Sequence, residues 1–399
     1  MVEGFVAGEG CRDVDVELLL DCVLSYELVK AIRSHRGEGG LLFKRQIGNP
    51  LNPHGIMILP KGGRPVQSRA RAGPPCPDVP LALPFATANR LGADSMTSAV
   101  VTVGTFDGVH LGHQAVLARA RGVASEGNLA LVAYAFDVPP RQLAQGERGP
   151  GLLLPQATKE HLLLSWVDRV ERAHFEDVRD LHAEAFVGDI LVGRLCGRAV
   201  VVGEEFRFGQ GGKGDLSLLR RIGRRSRLAV FAVPPVVMAG APVSSSRIRA
   251  LIRSGEVGQA RELLGRPPML AGHIVHGDGI GRTLGYPTAN LSVDSSVLLP
   301  ADGIYLVQAF VAGKVGPGLL YVGERPTVGE RGMRCEVYLF ASPEQDLYGA
   351  VLEAHLLARL RGSVTFASLE ELRRQIDRDV ALGRALLASS DMDSRPILP

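Results

Sequence analysis

Four stretches of this 399-residue chain gather side chains suited to handling phosphate. The first runs Gly104-Thr105-Phe106-Asp107-Gly108-Val109-His110-Leu111-Gly112-His113. His110 and His113 are spaced to share one face of a helical turn, and Gly112 lets a ligand approach the backbone closely. At a helix start, amide hydrogens and the positive dipole end point toward an anion. Two imidazoles there can donate to phosphate oxygens as charge moves from an α-phosphate to leaving pyrophosphate. Such chemistry needs positioning for in-line attack and no protein nucleophile. On these residues alone, ordinary surface or metal-binding histidines remain an equal reading.

The second stretch, Val243-Ser244-Ser245-Ser246-Arg247-Ile248-Arg249, sets serines where a helix begins. Serines cap exposed amides, and an arginine can grip phosphate oxygens bidentately; a cap with solvated arginines is the competing reading. The third runs from Gly272 to Asn290. Its glycines, among them Gly277, Gly281 and Gly285, let backbone fold over phosphates, and Arg282 adds a cation. The Gly-Lys-Ser/Thr ending of a P-loop is missing. After Pro287, Thr288 and Asn290 alternate, so on an extended segment both oxygens face one side and can hold Mg2+ with phosphates. The fourth stretch carries Glu336 before Val337, Tyr338 and Leu339. A lone strand glutamate is usually a solvated face residue, and Val337 and Leu339, on the opposite side, are expected to pack inward.

The elements that position these residues follow from periodicity. Ala99 to Val103 reads as a buried strand, Gln114 to Ser125 as a helix and Leu129 to Phe136 as a second strand. Ala199 to Val202 and Leu228 to Val233 add further strands, and strands separated by helices predict a parallel sheet with crossovers. A helical segment from Ser246 to Leu264 stops at Gly265-Arg266-Pro267-Pro268, where a domain boundary is placed. From Ala271 to Leu356, short alternating runs such as Gly303 to Val307 and Cys335 to Phe340 predict a small β-barrel. A helix from Leu369 to about Leu387 closes it. The fold class expected is therefore α/β: a Rossmann-like domain with a parallel sheet over residues 96–266, then a barrel with a C-terminal helix over 267–391 and a tail, 392–399. Residues 1–95, helical in pattern from Val16 to Ile32 and rich in Gly, Pro and Arg from Gly48 to Arg90, are expected to be a poorly ordered extension that plays no part.

Composition narrows the classes. The chain is 46% hydrophobic and 22% charged with a formal net charge of +3, a globular balance that makes no case for nucleic acid or membrane. Its longest apolar stretch, Leu228 to Val243, is interrupted by Pro234, Pro235, Gly240 and Pro242 and falls short of the roughly 18–20 residues that cross a bilayer. Five scattered cysteines without a Cys-x-x-Cys pair, and a start without signal-peptide order, predict a cytoplasmic protein with no zinc site.

The Gly104 to His113 run resembles the signature of the nucleotidylyltransferase superfamily, in the Phe-Asp-Gly form typical of its FAD-synthetase branch. Val243 to Arg249 resembles that family's Ser-Ser-Thr-x-Ile-Arg motif. Gly203-Glu204-Glu205-Phe206-Arg207-Phe208-Gly209 resembles its strand-end segment lining the flavin and nucleotide pocket; by itself this is a loop with two core aromatics. Gly272 to Asn290 resembles the flavokinase signature ending in Pro-Thr-Ala-Asn, and Tyr321 to Gly329, Glu336 to Leu339, Asp346 to Gly349 and Leu360 to Glu370 continue the match. From about Met96 to Asp379 the chain is thus similar, in collinear order, to the prokaryotic bifunctional riboflavin kinase and FMN adenylyltransferase family.

That resemblance implies phosphorylation of riboflavin to FMN and adenylylation of FMN to FAD, with ATP as co-substrate, Mg2+ at the sites, and FMN and FAD as substrate and product. A monomer or weak homo-oligomer is expected. The resemblance makes Glu336 the general base for the riboflavin 5′-hydroxyl and sets Arg361 and Phe366 near the isoalloxazine ring; barrel packing is an equal reading for Phe366. Departures cluster in the first half. Phe136-Asp137-Val138-Pro139-Pro140 stands where the family has Phe-Asp-Pro-His-Pro, Leu153-Leu154-Pro155 lacks the usual Leu-Thr, and Glu205 replaces Asp. Two alternatives follow: a riboflavin kinase with a degenerate synthetase domain, favoured by the altered loop, and a non-catalytic flavin-sensing module, opposed by Thr288, Asn290 and Glu336.

Overall fold

The computed structural model describes residues 98–138, 149–277, 279–324, 333–341 and 346–389. The expected extension, including its Val16 to Ile32 helix, lies outside the described residues, as do Pro139, Pro140, the block from Arg325 to Gly329 and the tail.

Five parallel strands form the first sheet: β1 (Ala99–Gly104), β2 (Ala130–Phe136), β3 (Arg169–Ala173), β4 (Gly197–Gly203) and β5 (Ala229–Val233), in the order β3-β2-β1-β4-β5. Chain order reverses direction across β1, so its carboxyl end opens on the crevice where ligands of such sheets bind. The apolar runs of β1, β2 and β4 suit strands covered on both faces. On one face α1 (Leu111–Gly127) packs Leu117, Ala120 and Ala124 against Val100, Leu131 and Ala133. On the other, Phe186 and Leu191 of a π-helical segment meet Val101, Val132 and Tyr134. A second helix, α2 (Gln156–Leu164), leads into β3, and α3 (Leu216–Ser226) leads into β5. The sequence reading missed β3 because this edge strand pairs only with β2 and buries only Ala173, so its charged residues hide the pattern.

The expected single helical segment from Ser246 to Leu264 is two helices, α4 (Ser245–Ser254) and α5 (Val257–Leu264). Gly255 between them has φ +80°, and a Cβ there would collide with the Arg359 side chain. Ile248 and Ile252 of α4 pack with Ala260, Leu263 and Leu264 of α5, so the break lets both helices bury an apolar face in one cluster.

The remaining strands are β6 (Met269–Val275), β7 (Thr288–Val293), β8 (Gly303–Val311), β9 (Lys314–Glu324), β10 (Met333–Leu339) and β11 (Val351–Arg361). They close an antiparallel barrel in the order β8-β9-β10-β7-β6-β11, which leaves no edge unpaired. Tyr305, Val307, Leu320, Val322, Val337 and Leu356 fill the interior. Leu339 packs against the same cluster, so both apolar neighbours of Glu336 face inward as expected. The opposite alternation points Leu306, Leu319 and Leu357 outward, where Val380, Leu386 and Leu387 of α6 (Leu369–Ala388) cover them.

Leu306, fully buried at that junction, makes a direct test of the outer cluster. Leu306→Ala is expected to destabilise the protein by about 2–5 kcal/mol, read as a lower urea midpoint at unchanged slope; an unchanged midpoint would show that α6 is not held by this face.

Candidate active sites

The loop leaving β1 turns through two left-handed non-glycine residues, Phe106 (φ 48°) and Val109 (φ 41°). Such backbone costs on the order of 1–3 kcal/mol per residue and persists only where the surroundings enforce it. Both side chains are buried in the sheet core, and Gln114 Nε2 donates to the Val109 and Leu264 carbonyls, each at 2.9 Å. A Cβ on Gly104 would stand 3.2 Å from the Phe106 ring. The loop delivers His110 as the cap of α1: its Nδ1 accepts the His113 N–H at 3.4 Å, and the two rings stack with centroids 3.7 Å apart. A Cβ on Gly112 would press on the His110 ring at 3.1 Å. With Nδ1 accepting, a neutral His110 carries its proton on Nε2 as a donor. Burial, helped by the nearby Arg266 charge, lowers His110 to about 4; burial and His110 itself hold His113 well below the usual imidazole range. Both rings are therefore neutral at physiological pH.

Asp107 and Arg249 face each other as a buried ion pair, their side chains 3% and 7% exposed. Asp107 Oδ1 also accepts the Leu153 N–H at 2.9 Å, and Arg249 Nε donates to the Gly151 carbonyl at 2.7 Å. Ser245 Oγ donates to the Asp107 carbonyl at 2.8 Å, and Ser244 Oγ caps α4 by accepting the Arg247 N–H at 3.3 Å. Arg247 Nη1 donates to the carbonyls of Met238 and Ala241 at 2.8 and 3.1 Å. The two motifs, far apart in sequence, thus form one structure. Gly203 ends β4, and beyond it the Phe206 and Phe208 rings stack at 5.7 Å. Phe208 is buried against Phe186, Phe206 is half-buried, and Gly209 (φ +70°) packs on Ala183.

Arg266, read from sequence only as part of a boundary, joins this site. It is 8% exposed and donates from Nη2 to the Gly108 carbonyl at 2.8 Å, while its buried Nε and Nη1 have no partner among the described residues. Burial lowers it to about 10, which leaves it charged. Its place beside glycine and prolines read as punctuation and masked its charge.

On the barrel, pairing of β7 with β10 sets Asn290 opposite Glu336 and Thr288 opposite Tyr338. Thr288 Oγ1 donates to Glu336 Oε2 at 3.0 Å, and Arg334 Nη1 meets Glu336 Oε1 at 2.9 Å. A Cβ on Gly277 would overlap the Asn290 side chain, and one on Gly281 would crowd the Tyr286 carbonyl and Thr288 Oγ1. The glycine-rich segment therefore lies directly on the Thr288 and Asn290 pair. Gly285 (φ +88°) turns the chain into Pro287 and β7, and Arg282 is exposed on the one-turn helix Ile280–Thr283. Thr288, Glu336, Tyr338, Arg361 and Phe366 line one cavity of about 790 Å³, within the roughly 300–1,000 Å³ of small-molecule sites. Arg361 is locked to Asp379 of α6 by Nε–Oδ1 and Nη2–Oδ2 contacts of 3.0 and 2.7 Å, and its guanidinium lies 6.0 Å from the Phe366 ring centre. Tyr286, not singled out in the sequence, stands edge-on to Tyr338 at 5.2 Å and donates its hydroxyl to Asp377.

In this chain a histidine-capped loop stands at a sheet switch point, and a Thr-Asn-Glu cluster stands on the barrel. Residues 93–247 match a family model described as FAD synthetase, and residues 264–387 match one described as riboflavin kinase. Bifunctional riboflavin kinase/FMN adenylyltransferases from Escherichia coli K12 and Pseudomonas fluorescens are 35% and 38% identical to it over 291 and 295 residues. These alignments span 71% and 73% of this chain and 91% and 94% of those proteins. The crystal structure of a macrolide-efflux protein from Streptococcus pneumoniae is similar with a TM-score of 0.66 at 31% identity, covering 73% of this chain and 95% of that one. The chain belongs to the bifunctional riboflavin kinase/FMN adenylyltransferase family. Among the described residues, no helix is long and apolar enough to cross a membrane.

The depressed His110 has a measurable signature. An ordinary imidazole titrates at 6.5 and the folded one at about 4, so the unfolded chain takes up the proton first as acid is added. Stability from this group is complete above pH 6.5 and falls as pH drops toward 4, by at most about 3 kcal/mol. His110→Gln should flatten the pH dependence of urea unfolding in that window, and an unaltered slope would contradict burial of a neutral ring.

Proposed function

We propose that the two centres divide the family's reactions: riboflavin becomes FMN on the barrel, and FMN becomes FAD at the carboxyl edge of the parallel sheet, with the division near residues 266 and 267. The bond between Thr288 and Glu336, with Asn290 opposite, carries the kinase assignment. Glu336 accepts the proton of the riboflavin 5′-hydroxyl as that oxygen attacks the γ-phosphate of ATP. The Thr288 hydroxyl and the Asn290 amide oxygen form a hard-oxygen set that fits Mg2+; the ion, when bound, would offset charge on the transferring phosphoryl group. Backbone at Gly277, Gly281 and Gly285 covers the phosphates, with Arg282 as their cation. Phe366 and the clamped Arg361 border the flavin ring in the cavity.

At the sheet, the neutral His110 and His113 donate to α-phosphate oxygens as the FMN phosphate attacks and pyrophosphate leaves. Gly104 and Gly112 allow the nucleotide close to the backbone, Ser244 and Arg247 serve the phosphates, and Gly203, Phe206, Phe208 and Gly209 bound the flavin side. Asp107, Phe106, Ser245 and Arg249 act by holding the loop. The stacked histidine pair favours two reactions over a degenerate synthetase half. The scattered cysteines support a reducing cytoplasm.

Purified full-length protein given riboflavin, ATP and Mg2+ should yield FMN and then FAD on chromatography. Glu336→Gln is expected to lower FMN formation about 100-fold or more yet spare FAD formation from supplied FMN; an unchanged kinase rate sinks the base assignment. His113→Ala is expected to do the converse, lowering FAD formation about 100-fold, and undiminished FAD formation removes the phosphate role.

A further inference from the structure

Lys159 on α2 is 3% exposed, an unusual place for a lone helical lysine. Its Nζ donates to the carbonyls of Phe136 and Asp137 at 2.7 and 3.1 Å, the last residue of β2 and the first beyond it. Both lie at the sheet edge where β1 delivers His110. Asp137 in turn places Oδ2 2.6 Å from Nδ1 of His174, which follows β3 and leaves most of its side chain exposed. Neighbouring strands are about 4.8 Å apart, so the end of β3 stands roughly 10 Å from the end of β1, within the length of one flavin nucleotide. Val138, next along the loop, offers no polar side-chain atom. Burying an ammonium costs more than burying an apolar chain of that length, so packing alone does not account for a lysine here.

We propose that Lys159 is a positioning residue of adenylyl transfer: it pins the carboxyl end of β2 so that Asp137 holds the His174 imidazole toward the flavin nucleotide. This rests on FAD forming at this sheet edge. The charges facing Lys159 are Asp107 after β1, Asp137 after β2, Arg172 on β3 and Glu160 on its own helix, and His113 on α1 lies within its field. Burial outweighs the two aspartates and lowers Lys159 to about 8. The clamp therefore loses its charge as pH rises through that value.

The test uses the full chain and measures FAD formation from FMN and ATP across that pH. His174→Ala and Lys159→Met should each raise the KM for FMN about tenfold, and the double variant should be no worse than Lys159→Met. The wild-type rate should fall above pH 8, and Lys159→Arg, which keeps its charge, should carry the plateau further into alkali. An unchanged KM in His174→Ala, additive effects in the double variant, or an alkaline limb unmoved in Lys159→Arg would each overturn the proposal. Should Lys159→Met fail to fold by circular dichroism, His174→Ala and Lys159→Arg decide alone. Loss of FAD formation in His113→Ala alongside normal His174→Ala kinetics rejects this inference and leaves the site assignment standing; normal kinetics in both reject the site itself.

Discussion

A carboxylate and a guanidinium, both buried, join the two adenylyl motifs across 142 residues of chain. Removing one partner of such a pair strands a charge in the interior at about 3–5 kcal/mol, so Asp107 and Arg249 constrain everything attached to them. The carboxylate receives the Leu153 amide and the guanidinium reaches the Gly151 carbonyl. Leu152, between them, accepts from Leu298 and donates to Ser296, each at 2.8 Å. One short segment therefore fastens the loop that carries His110, the helix that carries Arg247, and the chain entering the barrel strands.

The two centres solve positioning in different ways. On the barrel, strand alternation does it: Val337 and Ala289 pack inside, so Glu336, Thr288 and Asn290 must face out on one side. No backbone strain is needed, and Glu336 keeps a hydroxyl and an arginine as partners. At the sheet, a loop must aim two rings, and it does so through left-handed residues held by core packing. Burial there holds both imidazoles below their usual range and so keeps them neutral.

Much of this was legible in the sequence because its signals are local. Apolar runs marked β1, β2, β4 and β5, and alternation marked the barrel; the histidine spacing pointed to a pair at the helix start, which stacks at 3.7 Å although His110 is the extended cap and not a helical residue. What escaped notice depends on distant partners. Arg249 and Asp107 read as substrate groups, since no periodicity tells a phosphate-gripping arginine from one consumed by an ion pair. Lys159 drew no reading at all because its acceptors lie at and just beyond the end of β2, and Arg266 read as punctuation because its acceptor is Gly108. The break at Gly255 was hidden by helix-forming residues on both sides; only the packing of α4 on α5 requires it.

The same physics bears on whether the two centres behave as separate units. Arg266 reaches back to the nucleotide loop, while Met269, three residues on, opens β6 and packs within the sheet core beside Val100 and Leu117. Arg359 of β11 donates to the Asp302 carbonyl at 2.6 Å, and Asp302 lines the barrel cavity; the same guanidinium reaches the Ser254 carbonyl at the end of α4 at 3.5 Å. A displacement of α4 would therefore disturb a residue at the rim of the barrel cavity. Interfaces built from a shared core and directional bonds shift between discrete arrangements more readily than they deform gradually. The sheet and the barrel are thus tied to each other by a shared core residue and by directional bonds rather than joined by a bare linker.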